Sequence, residues 1–172
     1  MFVTPQIDQL KASELLSKRK RIWSSGRKII KVELTWLPIY LFQVTLIDKK
    51  GNIKSDKISV DGIKGEFAFY SEAEFSKMKE PSGLIPDFLI AEEDAREIAM
   101  SEYKRLLFKN NLKTGSDAKI TFVSMGSKFH YPYWTGFFKN KEILDFEVID
   151  ALDGSTQGHK MRPVFINILL NT

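Results

Sequence analysis

Two stretches of the chain share one pattern, and any fold that accommodates the first has to accommodate it again. Pro38-Ile39-Tyr40 leads through a long alternating run to Val60-Asp61-Gly62-Ile63-Lys64-Gly65, and Tyr131-Pro132-Tyr133-Trp134 leads in the same way to Ile149-Asp150-Ala151-Leu152-Asp153-Gly154. Each copy reads as a proline-aromatic start to a strand, then a hairpin, then a strand ending in apolar-Asp-small-apolar-charged-Gly. The prolines lie 94 residues apart and the aspartates 89, so the second copy is shorter inside the hairpin, where deletions cost least. The pattern predicts a duplicated β-rich unit with the two aspartate turns in equivalent places.

Alternation of period two supports the strands. Ile30, Val32, Leu34 and Trp36 alternate with Lys31, Glu33 and Thr35, and Tyr40, Phe42, Val44 and Leu46 follow with Gln43 and Thr45 between them, which predicts two strands joined near Pro38. Further strands are expected up to Val60, at Phe67 to Phe69, Ile120 to Val123, Tyr131 to Phe138, Ile143 to Asp150 and Thr156 to Met161. One helix is expected from a Thr4 cap and Pro5 to about Ser24, and a short one from Ser71, with Glu74 completing a capping box, through Phe75 and Met78. Another covers about Ala91 to Lys109, with Glu92, Glu93 and Asp94 at its start and Lys104, Arg105 and Lys109 near its end. Pro163 to Leu170 is apolar enough to pack as a closing strand or helix. The expected class is α+β, two repeated helix-plus-antiparallel-sheet units over residues 1–80 and 91–172, joined by a linker over 81–90.

Composition narrows the function classes. With no cysteine among 172 residues there is no disulfide, thiolate metal site or cysteine nucleophile, which fits a reducing compartment. The start Met1-Phe2-Val3-Thr4 lacks a positive segment followed by an apolar run, so no signal peptide is read and a cytoplasmic location is expected. If the chain is a fragment, attachment to the cell envelope is the other expectation. The least charged run, Leu34 to Ile47, is shorter than the ~20 residues of a membrane helix.

The order helix, strand, hairpin, then Ile149-Asp150-Ala151-Leu152-Asp153-Gly154, with Glu92-Glu93-Asp94-Ala95 opening the helix, resembles the PepSY family. The resemblance covers roughly Ala91 to Gly158 and, more loosely, Leu10 to Phe69. It implies one helix over an antiparallel sheet and a non-catalytic module that binds or inhibits a protein partner. It implies no catalytic residues, and no cofactor is expected.

Four candidate chemistries follow from the residues. Leu41, Tyr133, Trp134 and Phe137 are candidates for a partner-binding face, since Tyr and Trp combine contact area with a polar tip; the opposing reading is that they form sheet core. Lys18, Arg19, Lys20 and Arg21, with Arg27 and Lys28 close behind, can contact nucleic acid or an anionic membrane surface. The alternative for them is a solvated helix face balanced by Glu72 to Glu97, where eight acidic residues meet three basic ones. His130 beside Tyr131 and Tyr133, with Asp150 near, reads as an acid-base pocket of a small enzyme, against the usual structural role of turn aspartates. His130 and His159 lack the spacing of a metal site. The expected function is therefore protein binding through a sheet face or edge, with polyanion binding as the alternative and a small enzyme third. Self-association is open.

Overall fold

The computed structural model describes residues 1–18, 28–70, 77–78, 81–115, 117–140 and 143–171. They form β1 (Phe2–Val3), α1 (Gln9–Lys18), β2 (Lys28–Ile47), β3 (Ile53–Asp61), β4 (Phe67–Phe69), β5 (Lys77–Met78), α2 (Glu92–Thr114), β6 (Lys119–Asn140), β7 (Ile143–Asp150) and α3 (Arg162–Leu170). The class is α+β. Most pairings are antiparallel; β1 meets β6 in parallel at Phe2 and His130, so the sheet is mixed.

Two compact units divide the chain, and neither is continuous in sequence. The first comprises Met1–Leu37, Phe75–Pro86 and His130–Thr172, and the second Pro38–Glu74 and Asp87–Phe129. The division therefore differs from the expected 1–80 and 91–172. β2 and β6 each run through both units, so the first unit combines α1 and the start of β2 with the end of β6 and β7, and the second combines the end of β2 and β3 with α2 and the start of β6.

In the first unit, Ala12 and Leu16 of α1 pack on Val32, Leu34, Trp36, Trp134, Phe138, Ile149 and Ala151. The neighbouring Tyr133 points to the opposite face, as strand alternation requires, and meets Phe165 of α3 edge-on at 5.1 Å. In the second unit, Ala95, Ala99 and Tyr103 of α2 recur at helical spacing and pack on Tyr40, Phe42, Val44, Ile58, Val60 and Val123. The small alanines let the helix approach the sheet closely. Each large apolar side chain buried this way contributes roughly 1.5–3 kcal/mol.

Several expected boundaries move, each for a local reason. α1 begins at Gln9, capped by the Asp8 carboxylate, which accepts the Lys11 N–H at 2.7 Å. Thr4 does not start it, because the N–H groups of Gln6 and Ile7 both donate to the Ala151 carbonyl at 2.9 Å; residues 19–24 lie outside the described residues. Of the helix expected from Ser71, only Lys77 and Met78 are described, and they form β5 against β1. α2 runs on to Thr114 and stops at Gly115 in the left-handed conformation, a helix-ending geometry that glycine adopts most readily. Thr156 makes one isolated bridge to Ile149 and no strand follows. The closing segment is helical, with Pro163 in its first turn.

Pro38 and Pro132 do not divide the strands that contain them, and the pairing explains why. Pro38 lies opposite Gly62, where a strand residue would donate one bond and accept one. Pro38 accepts the Gly62 N–H at 2.7 Å but has no N–H to return, and the Gly62 carbonyl instead accepts from Leu89 and Ile90 at 2.7 and 3.0 Å. In the same way Pro132 accepts the Ala151 N–H at 3.2 Å, leaving the Ala151 carbonyl to Gln6 and Ile7. The side chain two residues past each proline completes the clasp: the Tyr40 hydroxyl donates to the Ile90 carbonyl at 2.7 Å and the Trp134 indole to the Ile7 carbonyl at 2.8 Å. Each proline thus frees a carbonyl that fastens the segment leading into a helix.

Candidate functional site

Each aspartate caps its turn by accepting, through Oδ1, the N–H two residues on, while the partners of the second oxygen differ. Asp61 Oδ1 accepts the N–H groups of Ile63 and Lys64 at 2.9 and 2.8 Å, and Oδ2 accepts that of Glu66. Asp150 Oδ1 accepts the Leu152 N–H at 2.7 Å, and Oδ2 the Tyr131 hydroxyl at 2.9 Å. Gly65 and Gly154 close the turns at φ 79° and 76°, donating to the carbonyls of Asp61 and Asp150. Burial pushes both carboxyls above the ordinary aspartate value, the backbone donors opposing it.

Asp61 therefore gives a titration test. Its raised pKa means that the native state holds the proton more tightly than the unfolded chain, so this group adds stability as pH falls through its native value, and that gain is lost as pH rises through it. Asp56 runs the other way: burial opposes ionisation, but the Tyr103 hydroxyl and Lys54 outweigh it and lower the pKa. Carboxyl-carbon NMR should find the Asp61 midpoint above and the Asp56 midpoint below the ordinary value; the reverse order would refute this account of the two sites.

The structure separates the residues singled out from the sequence. Tyr133 and Trp134 are buried, one beneath α3 and the other in the α1 core, so neither offers a free surface. Phe137 is half-buried in the first unit and Leu41 half-buried in the second, and the four do not form one exposed patch. Lys18 pairs with Glu14 and Lys28 is exposed at the start of β2, while Arg19, Lys20, Arg21 and Arg27 lie outside the described residues. The His130 ring stacks on Phe2 at 4.7 Å and the His130 backbone N–H donates to the Met1 carbonyl, while both oxygens of Asp150 are bonded within its turn and to Tyr131. Among the described residues no group of three His, Cys, Asp or Glu is placed to hold a metal ion.

His159 borders a shallow concavity of about 330 Å³ in the first unit, with Phe146, Glu147, Gln157, Arg162 and Phe165. Arg162 is already committed there, to Asp145 at 2.7 Å, to the Phe146 carbonyl and to the face of the Phe146 ring.

A groove of about 400 Å³ in the second unit has a different character. Leu46, Phe69, Tyr103, Leu106 and Leu107 give it apolar walls, and Lys54, Asp56 and Asn110 add polar groups. It lies between α2 and the outer edge of β3. β4 pairs with β3 only at Ile58, Ser59 and Val60, and among the described residues no strand lies on the outer side of Ile53 to Asp56.

The direction of the β3 backbone groups follows from its two ends. Asp48 donates to Asn52 at the hairpin and Gly62 to Pro38 at the far end, so the even-numbered residues of β3 bond to β2 and the odd-numbered ones point away. The outward bonds agree: Tyr70 donates to the Lys57 carbonyl, and Asp61 to the Glu66 carbonyl. Ile53 and Ser55 consequently present N–H and C=O outward beside the groove. Inside, the Tyr103 hydroxyl donates to Asp56; burial and the Asp56 charge raise its pKa, keeping it a donor. Sequence reasoning missed this site because it is made by the shortness of β4. The available signal was the contrast between the short Phe67 to Phe69 segment and the longer strand beside it.

No family model, curated protein or solved structure matches the chain. No helix among the described residues is long and apolar enough to cross a membrane.

Proposed function

We propose that the chain is a non-enzymatic, PepSY-like accessory module that binds an extended segment of a protein partner by adding it as a strand to β3. The observation that carries this reading is the pair of outward-facing residues Ile53 and Ser55 beside the apolar groove. Strand addition needs these two features together: main-chain groups supply affinity, and a pocket for alternate side chains supplies selectivity. Lys54 and Asp56 place charge on the same edge, which discourages indiscriminate pairing of such edges with one another.

Ser55→Pro is the decisive variant. It removes an outward N–H that no described residue uses, and proline is tolerated on an edge strand in that position. Peptides selected from a displayed random library on the full chain should lose at least about tenfold in affinity for this variant, one to two main-chain bonds being at stake. Their binding should also slow hydrogen exchange at Ile53 and Ser55. Selected peptides that bind the variant as tightly as the parent, or a library that yields none, would sink the proposal.

A further inference from the structure

α2 carries a second surface on the flank turned away from the groove. Phe108 and Leu112 are four residues apart, so they stand side by side on the helix, and they are 65% and 70% exposed. Lys104, Arg105, Lys109 and Lys113 surround them, all exposed, and among these only Arg105 has a described ion-pair partner, Glu102. No acidic residue falls between Tyr103 and Gly115, whereas Glu92 to Glu102 holds five acids and one base. The helix dipole accounts for acid at the start and base at the end. It does not account for a phenyl ring and an isobutyl group left in water among the cations.

That combination has a matching environment in an anionic bilayer surface, where headgroups take the cations and large apolar side chains enter the acyl boundary. We propose that the C-terminal half of α2 docks this unit onto anionic lipid through Phe108 and Leu112, held by Lys104, Lys109 and Lys113. Nucleic acid would use the cations and leave Leu112 without a role. A second copy seated on the same face would set like charges against each other.

The test is sedimentation of the full chain with vesicles of phosphatidylcholine alone, and of phosphatidylcholine and phosphatidylserine in equal parts. Binding is expected to the mixed vesicles and to fall steeply with salt, since each cation near an anionic surface is worth roughly a fivefold change. Phe108→Ser with Leu112→Ser should weaken it by at least about tenfold, with the thermal midpoint unchanged because both side chains are exposed. Lys104→Glu with Lys109→Glu should abolish it. Ser55→Pro should bind vesicles as the parent does, which keeps this test separate from that of the groove. The proposal fails if the two vesicle types bind equally or not at all, or if the serine variant binds like the parent. It also fails if duplex DNA displaces the chain from vesicles and retains the serine variant, or if these residues instead hold two copies together.

Discussion

Cleaved between Pro86 and Asp87, the chain should yield two pieces that do not fold apart and do fold together. Residues 1–86 keep Val32, Leu34 and Trp36 but lose Trp134, Phe138 and Ile149; they keep Phe42, Val44, Ile58 and Val60 but lose Ala95, Ala99 and Tyr103. Each cluster is cut roughly in half, and losing several large buried side chains at a few kcal/mol each exceeds the 5–15 kcal/mol that holds a domain folded. Circular dichroism and size exclusion should show each piece without a cooperative melt, and an equimolar mixture should recover one melting complex. Either piece melting cooperatively as a monomer would contradict the exchange of strands and restore a division into continuous halves.

Gly83→Ala should be among the most damaging single substitutions, and Gly51→Ala, at a similar backbone angle, should be mild. Both glycines have positive φ, 99° and 80°, where any other residue costs roughly 1–2 kcal/mol. At Gly51 an added methyl group would meet open space, whereas at Gly83 it would overlap the Leu34 carbonyl oxygen. That oxygen accepts the Leu84 N–H at 2.8 Å, the Leu84 carbonyl accepts the Trp36 N–H at 2.9 Å, and the Ser82 carbonyl accepts the Trp36 indole N–H at 2.8 Å. Displacing this segment leaves the fully buried Trp36 with unpaired donors, at about 1–3 kcal/mol each. Urea unfolding should show a loss of roughly 3–5 kcal/mol for Gly83→Ala and about 1 kcal/mol for Gly51→Ala. Equal losses would mean that the backbone angle alone matters.

The local grammar of the fold was legible in the sequence, while the partners each segment finds were not. Period two marked the strands, and the acidic start with Ala95, Ala99 and Tyr103 marked α2 and its buried face. The proline-to-aspartate pattern marked a turn at each aspartate, but proline's usual reading as a strand breaker hid its use in freeing a carbonyl. Alternation says which side of a strand is apolar and nothing about which strand lies next to it, so the exchange at β2 and β6 left no trace in periodicity. Tyr133 and Trp134, being adjacent, had to face opposite ways; that both are covered depends on α1 lying over one face and on Phe165 of α3 meeting Tyr133 on the other, which alternation does not record. The β3 edge depends on where a neighbouring strand stops, which composition does not record.

Strand exchange also fixes the order in which the molecule can be completed during synthesis. Every helix and strand of the second unit exists once residue 129 has been made, and that unit can close while translation continues. Leu34 and Trp36 are made well before Trp134, Phe138 and Ile149, and until those follow only the earlier members of their cluster, such as Ala12 and Leu16 of α1, can cover them. The first unit is thus the later of the two to be completed, and it is there that a chaperone would find its longest-lived target.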